Sequence, residues 1–173
     1  MENQNGTRRS KRFAENEICI EFDAISENEG LARVVIAAFI SRVDPTLDEL
    51  EDVKTAVSEA VTNAIIHGYR EQGGRVVMRA HLTEENELSV EISDTGVGIA
   101  DVAQAMQPLY TSAAENERSG MGFSFMEAFM DRLEVESSIG EGTVVHMWKS
   151  FGAEEELVPI LQATVWNSSG SRV

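Results

Sequence analysis

The sequence has little that could fix the chain covalently or hold it in a bilayer. Cys19 is its one cysteine, so a disulfide framework is excluded and a reducing cytoplasm is the expected compartment. The longest uninterrupted apolar run, VVIAAFI at 34–40, is far shorter than the roughly 20 residues that cross a bilayer. No charged and apolar leader opens the sequence, so neither secretion nor membrane insertion is predicted.

Two widespread phosphate-binding signatures are also missing. The sequence has no GxxxxGK[ST] segment, which excludes a P-loop. The glycines of RSGMGFSF, at 118–125, lack the dinucleotide-binding spacing, because Phe125 stands where a third glycine would be needed. No internal repeat or low-complexity tract is present.

Basic residues are scarce outside the first twelve positions. The formal net charge is −16, yet residues 1–12 carry four basic residues against Glu2 alone. The rest of the chain has 29 acidic and 10 basic residues, a balance that predicts no nucleic-acid binding. Solubility alone can explain such a negative charge. If the charge also selects a partner, we expect that partner to be a basic protein surface or a small ligand held locally. The segment 1–14 has no apolar period and is predicted to be a disordered basic arm.

The remaining pattern alternates between strand and helix periods. Predicted strands cover 17–23, 75–82, 87–93, 133–138 and 142–149, and predicted helices cover 26–43, 47–67 and 122–133. This order indicates an α/β (α+β) fold, which we expect to be a two-layer sandwich. Its sheet would be mixed but mostly antiparallel, and helices would cover one face of the sheet. One domain at 15–150 accounts for it, and the tail 151–173 has no assigned role.

Local signals set the predicted boundaries. Ser26 and Glu29 have the spacing of a capping box at the start of the first helix. Gly68 is the predicted end of the second helix. Residues 94–121 are rich in glycine, serine and threonine and too long for a plain connection, so a functional loop or lid is expected there.

The second helix carries a polar pair on an otherwise apolar surface. In SEAVTNAIIHG, at 58–68, Glu59 and Asn63 are four residues apart and so lie side by side. They border a predicted buried arc made of Val53, Ala56, Val57, Ala60 and Ala64. A solvated flank explains this pair when it is taken alone. His67, one turn further, is more typical of a structural histidine at a helix end than of a catalytic one.

The first glycine motif follows a predicted strand. In SDTGVGI, at 93–99, Asp94 ends the strand, and Gly96 and Gly98 follow. Glycines let the backbone turn sharply and let a flat ligand approach. A carboxylate at a strand end can accept a hydrogen bond from an exocyclic amine such as that of adenine. A plain turn explains this motif equally well by itself.

Two further motifs lie nearer the C-terminus. In RSGMGFSF, Gly120 and Gly122 open a helix whose backbone N–H groups favour an anion, and Arg118 can pair with a terminal phosphate. GEGTVV, at 140–145, turns into the last strand and offers the hydroxyl of Thr143. Each motif is weak alone.

Taken in order, these four motifs resemble the ATP-binding fold shared by gyrase, Hsp90, histidine kinases and MutL. Within that superfamily, SEAVTNAIIHGY and ERSGMGFSFME resemble the anti-sigma factor serine kinases. AAFISRVDPTLDELEDVKTAVSEAVTNAIIHGY and QPLYTS are most similar to the sporulation members, which hold sigma-F. The resemblance covers about residues 17–149. It implies a histidine-kinase-like (Bergerat) ATPase fold that binds ATP or ADP with Mg²⁺, and a homodimer that binds a sigma factor or an anti-anti-sigma protein.

The resemblance implies a role for each matching residue. Asn63 would give its side-chain oxygen to a Mg²⁺ that bridges the ATP phosphates. Glu59 would act as general base on a serine hydroxyl of the anti-anti-sigma protein. Asp94 would bind the adenine amine, with Gly96, Gly98 and Thr143 beside it.

The same resemblance assigns the loop and the first helix. Arg118 would act in catalysis, residues 101–119 would close as a lid, and the residues wrapping the phosphates would be Ser119, Gly120, Met121 and Gly122. Arg33, which interrupts the apolar first helix, would face the sigma factor and the antagonist. A lone solvated arginine is equally consistent with that position.

Other functions fit parts of the pattern. A stress-response anti-sigma-B-type relative would hold a different sigma factor. A nucleotide-gated sigma-binding module without kinase activity would need Asn63 and Asp94 but no base, so Glu59 argues against it. A gyrase-type ATPase is disfavoured because no transducer domain is expected. A histidine kinase is disfavoured because the chain leaves no room for a phosphoacceptor hairpin.

Overall fold

The computed structural model of the protein describes residues 15–70, 72–107 and 121–152. Its strands are β1 Asn16–Asp23, β2 Arg75–Leu82, β3 Glu87–Asp94, β4 Arg132–Ser138 and β5 Gly142–Ser150. Its α-helices are α1 Glu27–Ile40, α2 Leu47–Asn63, α3 Val102–Ala105 and α4 Gly122–Phe129. The predicted arm at 1–14 lies outside the described residues, as does the predicted tail 151–173 apart from its first two residues.

The five described strands form one sheet in the order β1-β2-β3-β5-β4, and all four pairings are antiparallel. The period-two alternation of β2 and β3 places one side of each strand in the core, and the buried residues of these strands include Val76, Met78, Ala80, Leu82, Leu88, Val90 and Ile92. Helices α1 and α2 pack on that side. The predicted two-layer sandwich is confirmed.

Helix α2 begins with a capping box that the sequence analysis did not identify. The backbone N–H of Glu49 donates to Thr46 Oγ1 at 3.2 Å, and the N–H of Thr46 donates to the Glu49 carboxylate at 2.7 Å. The predicted apolar arc of this helix is confirmed, because each of its five members is at most 4% exposed. This burial fixes the rotation of α2, and with it the edge on which the polar pair lies.

The second helix does not close at Gly68 in the predicted way. After Asn63 it widens into a π-turn, Ala64–Gly68, in which the N–H of Tyr69 donates to the carbonyl of Ala64 at 2.9 Å. Gly68 therefore lies inside the helical segment, and Tyr69 follows it. This π-turn ends the helical segment, and π-turns are often found at functional sites.

The predicted capping box of α1 is wrong. Ser26 has helical backbone angles and no capping hydrogen bond from its side chain. The Glu29 carboxylate instead accepts a hydrogen bond from the hydroxyl of Ser58 on α2, and it lies 3.5 Å from the guanidinium of Arg33. A contact between helices has replaced the local contact that the spacing indicated.

Helix α4 is shorter than the predicted 122–133. It ends at Phe129, because Met130 has extended backbone angles and β4 begins at Arg132. The ammonium group of Lys149, which is 11% exposed, donates to the Phe129 carbonyl at 2.7 Å and lies 3.3 Å from Asp52. The last strand thus caps the end of α4.

The predicted loop at 94–121 is only partly described. It contains α3, whose first turn is capped by the side chain of Asp101, which accepts from the N–H of Gln104 at 2.9 Å. Residues 108–120 lie outside the described ranges. No helix within 15–70, 72–107 or 121–152 is long and apolar enough to span a bilayer.

Candidate functional site

The polar pair of α2 lies against the start of α4. A Cβ atom placed on Gly122 would be 3.1 Å from Glu59 Oε2 and 3.2–3.3 Å from the two side-chain polar atoms of Asn63. Any larger residue at this position would press on both side chains. Gly122, the last glycine of RSGMGFSF, is therefore brought directly to the two residues that the sequence analysis paired.

The rest of that glycine-containing segment is incompletely described. Met121 is half-buried and stands immediately before α4, and its carbonyl accepts the N–H of Phe125 at 2.8 Å. Arg118, Ser119 and Gly120 lie outside the described residues, so their predicted roles stay predictions.

Asp94 is a buried carboxylate at the end of β3. It is 8% exposed, and its Oδ1 accepts the backbone N–H of Gly96 at 2.8 Å. Burial raises the pKa of Asp94 because it disfavours the charged form, and the backbone N–H groups of Gly96 and Thr143 oppose that rise. Because this carboxylate is shielded from water, it can accept a strong hydrogen bond from a ligand that covers it.

Gly68 makes room for this carboxylate. A Cβ on Gly68 would lie 2.8 Å from Asp94 Oδ1, closer than such atoms approach in proteins. The carbonyl of Gly68 also accepts the N–H of Val97 at 2.9 Å. The sequence predicts Gly68 only as a helix end, because contact with Asp94, 26 residues further along the chain, leaves no local signal.

Close contact with neighbouring backbone atoms leaves no room for a side chain at Gly96 or Gly98. A Cβ on Gly96 would lie 2.2 Å from the carbonyl oxygen of Gly68, and one on Gly98 would lie 2.0 Å from that of Ser138. Gly98 also has a φ of +72°, which favours glycine. The loop after Asp94 is thus pressed between the end of α2 and the end of β4.

Thr143 lies beside Asp94 and takes part in a cluster of hydroxyl groups. It is 9% exposed, it pairs with Asp94 across β3 and β5, and its Oγ1 is 2.9 Å from Ser137 Oγ. Ser137 Oγ donates to the carbonyl of Gly142 and accepts the N–H of Ile99, both at 2.8 Å. No motif of the sequence indicates Ser137; its one signal is its inward position in an alternating strand.

Arg33 lies apart from these residues, on α1. It lines a shallow groove together with Gly30, Val34, Ala37 and Lys54. Val34 contributes an apolar side chain that is 67% exposed. The groove therefore combines two cations with an apolar floor, in a protein whose net charge is −16.

Comparison with known proteins gives close relatives. A family model described as "Histidine kinase-like ATPase domain" matches residues 22–149. The chain is 54% identical to the Anti-sigma F factor of Clostridium acetobutylicum over 142 residues, which are 82% of this chain and 99% of that protein. It is 51% identical to the Anti-sigma F factor of Pasteuria penetrans over 146 residues, 84% of this chain and 97% of that protein.

Solved structures share the fold at much lower identity. The RsbU and RsbW domains of Rv1364c from Mycobacterium tuberculosis give a TM-score of 0.56 at 17% identity, over 79% of this chain and 32% of that one. A blue-light activated histidine kinase from Erythrobacter litoralis EL346 gives 0.51 at 21% identity, over 72% and 42%. These two likenesses concern the fold alone.

The family model spans most of the chain, and the two relatives above are matched over nearly their whole length at more than 50% identity. The sequence resemblance is thereby confirmed. The chain belongs to the anti-sigma F factor family, and its fold is that of the histidine kinase-like ATPase domain.

Proposed function

We propose that this protein is a cytoplasmic anti-sigma factor of sporulation with ATP-dependent protein-serine kinase activity. In this proposal a homodimer binds and inhibits a sigma factor of the sigma-F type and phosphorylates a serine of its anti-anti-sigma antagonist. The observation that carries the proposal is the position of Glu59 and Asn63 directly against Gly122. Membership of the family and its ATPase domain support it independently.

The adenine end of the proposed nucleotide site is Asp94. Its carboxylate would accept the exocyclic amine of adenine, and its burial would make that hydrogen bond stronger than one made in water. Gly96, Gly98 and Thr143 would form the surrounding wall. The hydrogen bond between the hydroxyl groups of Thr143 and Ser137 would stabilise that wall.

The phosphate end would be built from α2 and the start of α4. The side-chain oxygen of Asn63 is a hard ligand of the kind that Mg²⁺ prefers, and the missing Cβ of Gly122 lets the start of α4 come close without pressing on the Asn63 side chain. When bound, Mg²⁺ would neutralise and orient the phosphate oxygens. Ser119, Gly120, Met121 and Gly122 would hold the phosphates through backbone N–H groups, and Arg118 would pair with the terminal phosphate.

Glu59 would serve as the general base. The oxygen of the partner's serine attacks the γ-phosphorus while its proton passes to the Glu59 carboxylate, and ADP leaves with the bridging oxygen. Help of this kind is typically worth about 10²–10⁴ in rate. Because Glu59 and Asn63 share one edge of a buried helix, the base is held in a fixed relation to the phosphate site.

Partner binding is assigned to the groove around Arg33 on α1. Its two cations and its exposed Val34 would suit a partner surface that offers a carboxylate next to apolar side chains. We expect Arg33→Ala to weaken capture of the sigma factor, measured by pull-down. Arg79→Ala is the control, since Arg79 pairs with Glu91 on the sheet and lies outside this groove.

The kinase activity is tested with γ-labelled ATP and the purified antagonist. We expect label on the antagonist with the wild-type protein and at least about a hundredfold slower transfer with Glu59→Gln, while ADP affinity is retained. Glu85→Gln is the control, because Glu85 is an exposed carboxylate between β2 and β3 and does not line the groove around Arg33.

Two outcomes would contradict the assignment. Absence of label with either protein would leave a nucleotide-gated binding module without kinase activity. Undiminished transfer by Glu59→Gln would mean that another group takes the proton. Sigma-factor capture, measured on the same variants, separates the inhibitory function from the chemical one.

A further inference from the structure

Tyr69 joins three separate parts of the fold through its hydroxyl group. It follows the π-turn at the end of α2, and its hydroxyl donates to the carbonyl of Arg75 at the start of β2. The same oxygen accepts the backbone N–H of Thr95 at 2.9 Å and lies 3.2 Å from Thr95 Oγ1. Thr95 is the residue directly after Asp94, so this tyrosine contacts the loop that would receive adenine.

The aromatic ring of Tyr69 is fixed as well. A Cβ atom on Gly74 would lie 2.2 Å from the ring, so the ring rests directly on that glycine. The preceding residue, Gly68, accepts the N–H of Val97 at 2.9 Å. Two consecutive residues at the end of the helical segment therefore hold the loop 94–97 at both of its ends.

This arrangement links the two ends of the proposed nucleotide site. Glu59 and Asn63 lie on the helix that runs into the π-turn, while Asp94 lies on the loop that Gly68 and Tyr69 hold. The distance between the phosphate end and the adenine end thus depends on this connection. Thr95 is exposed, and without Tyr69 its N–H would face water instead of a fixed acceptor.

We propose that Tyr69 is a positioning residue for the nucleotide site, and that its hydroxyl holds the Asp94 loop at the place where adenine is distinguished from other bases. This inference rests on the proposed nucleotide site and adds the residue that sets its selectivity. Removing the hydroxyl alone keeps the ring on Gly74. A purely structural role of the hydroxyl, including its bond to the Arg75 carbonyl, would weaken every nucleotide equally, whereas a role in placing the Asp94 loop would weaken adenine nucleotides more.

The test compares two nucleotides on the full chain. Tyr69→Phe keeps the ring and removes the hydroxyl. We expect the dissociation constant for ADP, measured by calorimetry with Mg²⁺, to rise about three- to tenfold, as for the loss of one ordinary hydrogen bond. Inosine diphosphate has a carbonyl where adenine has its amine, so its dissociation constant should rise less than about twofold. The preference for ADP over inosine diphosphate then falls.

Thr83→Ala is the matched control. It also removes a hydroxyl that accepts a backbone N–H, that of Glu87 at 3.1 Å, but in the β2–β3 hairpin away from this loop. Both dissociation constants should stay within about twofold of the wild-type values. A control that lowered the preference for ADP as much as Tyr69→Phe does would overturn the inference.

Three further results would overturn the proposal. Equal weakening of both nucleotides by Tyr69→Phe would indicate a general structural role, and no weakening would indicate none. A wild-type protein that binds no ADP would reject the proposed function itself. If Tyr69→Phe fails to fold, amide exchange in the wild-type protein decides: protection of the exposed Thr95 N–H supports the contact, and exchange at the unprotected rate rejects it.

Discussion

At the scale of single residues, Asp94 shows how burial and charge conflict at this site. Its pKa is raised because the carboxylate is buried, although two backbone N–H groups partly offset this. The folded protein therefore binds a proton at Asp94 more readily than the unfolded chain does. The contribution of this group to stability is greatest at low pH and is lost as the pH rises through the folded-state pKa.

We predict that Asp94→Asn separates stability from binding. At neutral pH the variant should melt at the same temperature as the wild-type protein or higher, because the asparagine oxygen still accepts the Gly96 N–H and no buried charge remains. Its affinity for ADP should fall by about tenfold or more. Thermal unfolding without nucleotide and calorimetry with ADP measure the two effects.

Acidity provides a second measure of the same residue. Wild-type affinity for ADP should decline as the pH falls through the raised pKa of Asp94, because a protonated carboxyl accepts a hydrogen bond less well. Asp94→Asn should lack this part of the pH dependence. Asp101→Asn, a change at an exposed capping carboxylate, should keep it. A lower melting temperature for Asp94→Asn would show that the buried charge is stabilising after all.

Gly68 and Gly30 form a matched pair for the close approach of α2 to Asp94. Gly68→Ala would place a Cβ 2.8 Å from the Asp94 carboxylate, which is buried and has little room to move. We expect a loss of about 1–3 kcal/mol in the free energy of unfolding, together with weaker ADP binding. Gly30→Ala meets nothing within 4 Å on α1 and should gain about 0.5–1 kcal/mol. Denaturant unfolding checks both values; equal effects would contradict the crowding at Gly68.

At the scale of helices and strands, the two N-termini differ in a way that can be measured. Thr46 makes a complete capping box on α2, whereas Ser26 makes no capping hydrogen bond on α1. Thr46→Ala should therefore cost about 0.5–2 kcal/mol of stability. Ser26→Ala should cost only a few tenths, the range of an ordinary surface substitution, about 0.5 kcal/mol at most. Chemical denaturation compares them directly, and a larger loss for Ser26→Ala would restore the predicted capping box.

The element scale also shows which parts of the fold were predictable. Strands β1 to β5 follow an alternation that depends only on burying one side of a sheet, and their predicted bounds are correct to within one residue. The arc of α2 was predictable for the same reason. The capping box at Ser26 was wrong because Glu29 bonds to Ser58 on another helix, and α4 ended early because Met130 leaves the helix despite a helical pattern.

The candidate site was predictable in part. The spacing of Glu59 and Asn63 implied that they lie together, and the structure adds Gly122 to them. Ser137, Gly68 and Tyr69 were missed, because each acts through a contact with a residue distant in the sequence. These partners are Ile99, Val97 and Thr95, respectively. A local sequence pattern cannot indicate that a glycine such as Gly68 is required, because the requirement comes from a strand that packs against it in the fold.

At the scale of the whole molecule, we predict that residues 15–152 contain all that nucleotide binding needs. The matched relatives cover 82–84% of this chain and 97–99% of their own length, so the shared domain leaves out stretches of this sequence. A chain trimmed to 15–152 should bind ADP within about twofold of the full protein and should melt within a few degrees of it. Calorimetry and thermal unfolding measure both. A large loss of either would assign a role to the basic arm or to the tail.

The π-turn after Asn63 adds one residue to a helix that would otherwise continue in regular α geometry. Each residue of an α-helix advances the rotation by about 100°, so the same residues wound as a regular α-helix would turn Gly68 and Tyr69 away from Asp94. A chain straightened in this way would gain helical order and lose the contacts of Gly68 and Tyr69 with the loop 94–97. The irregular turn therefore acts as a spacer, and its length would be harder to change than its composition.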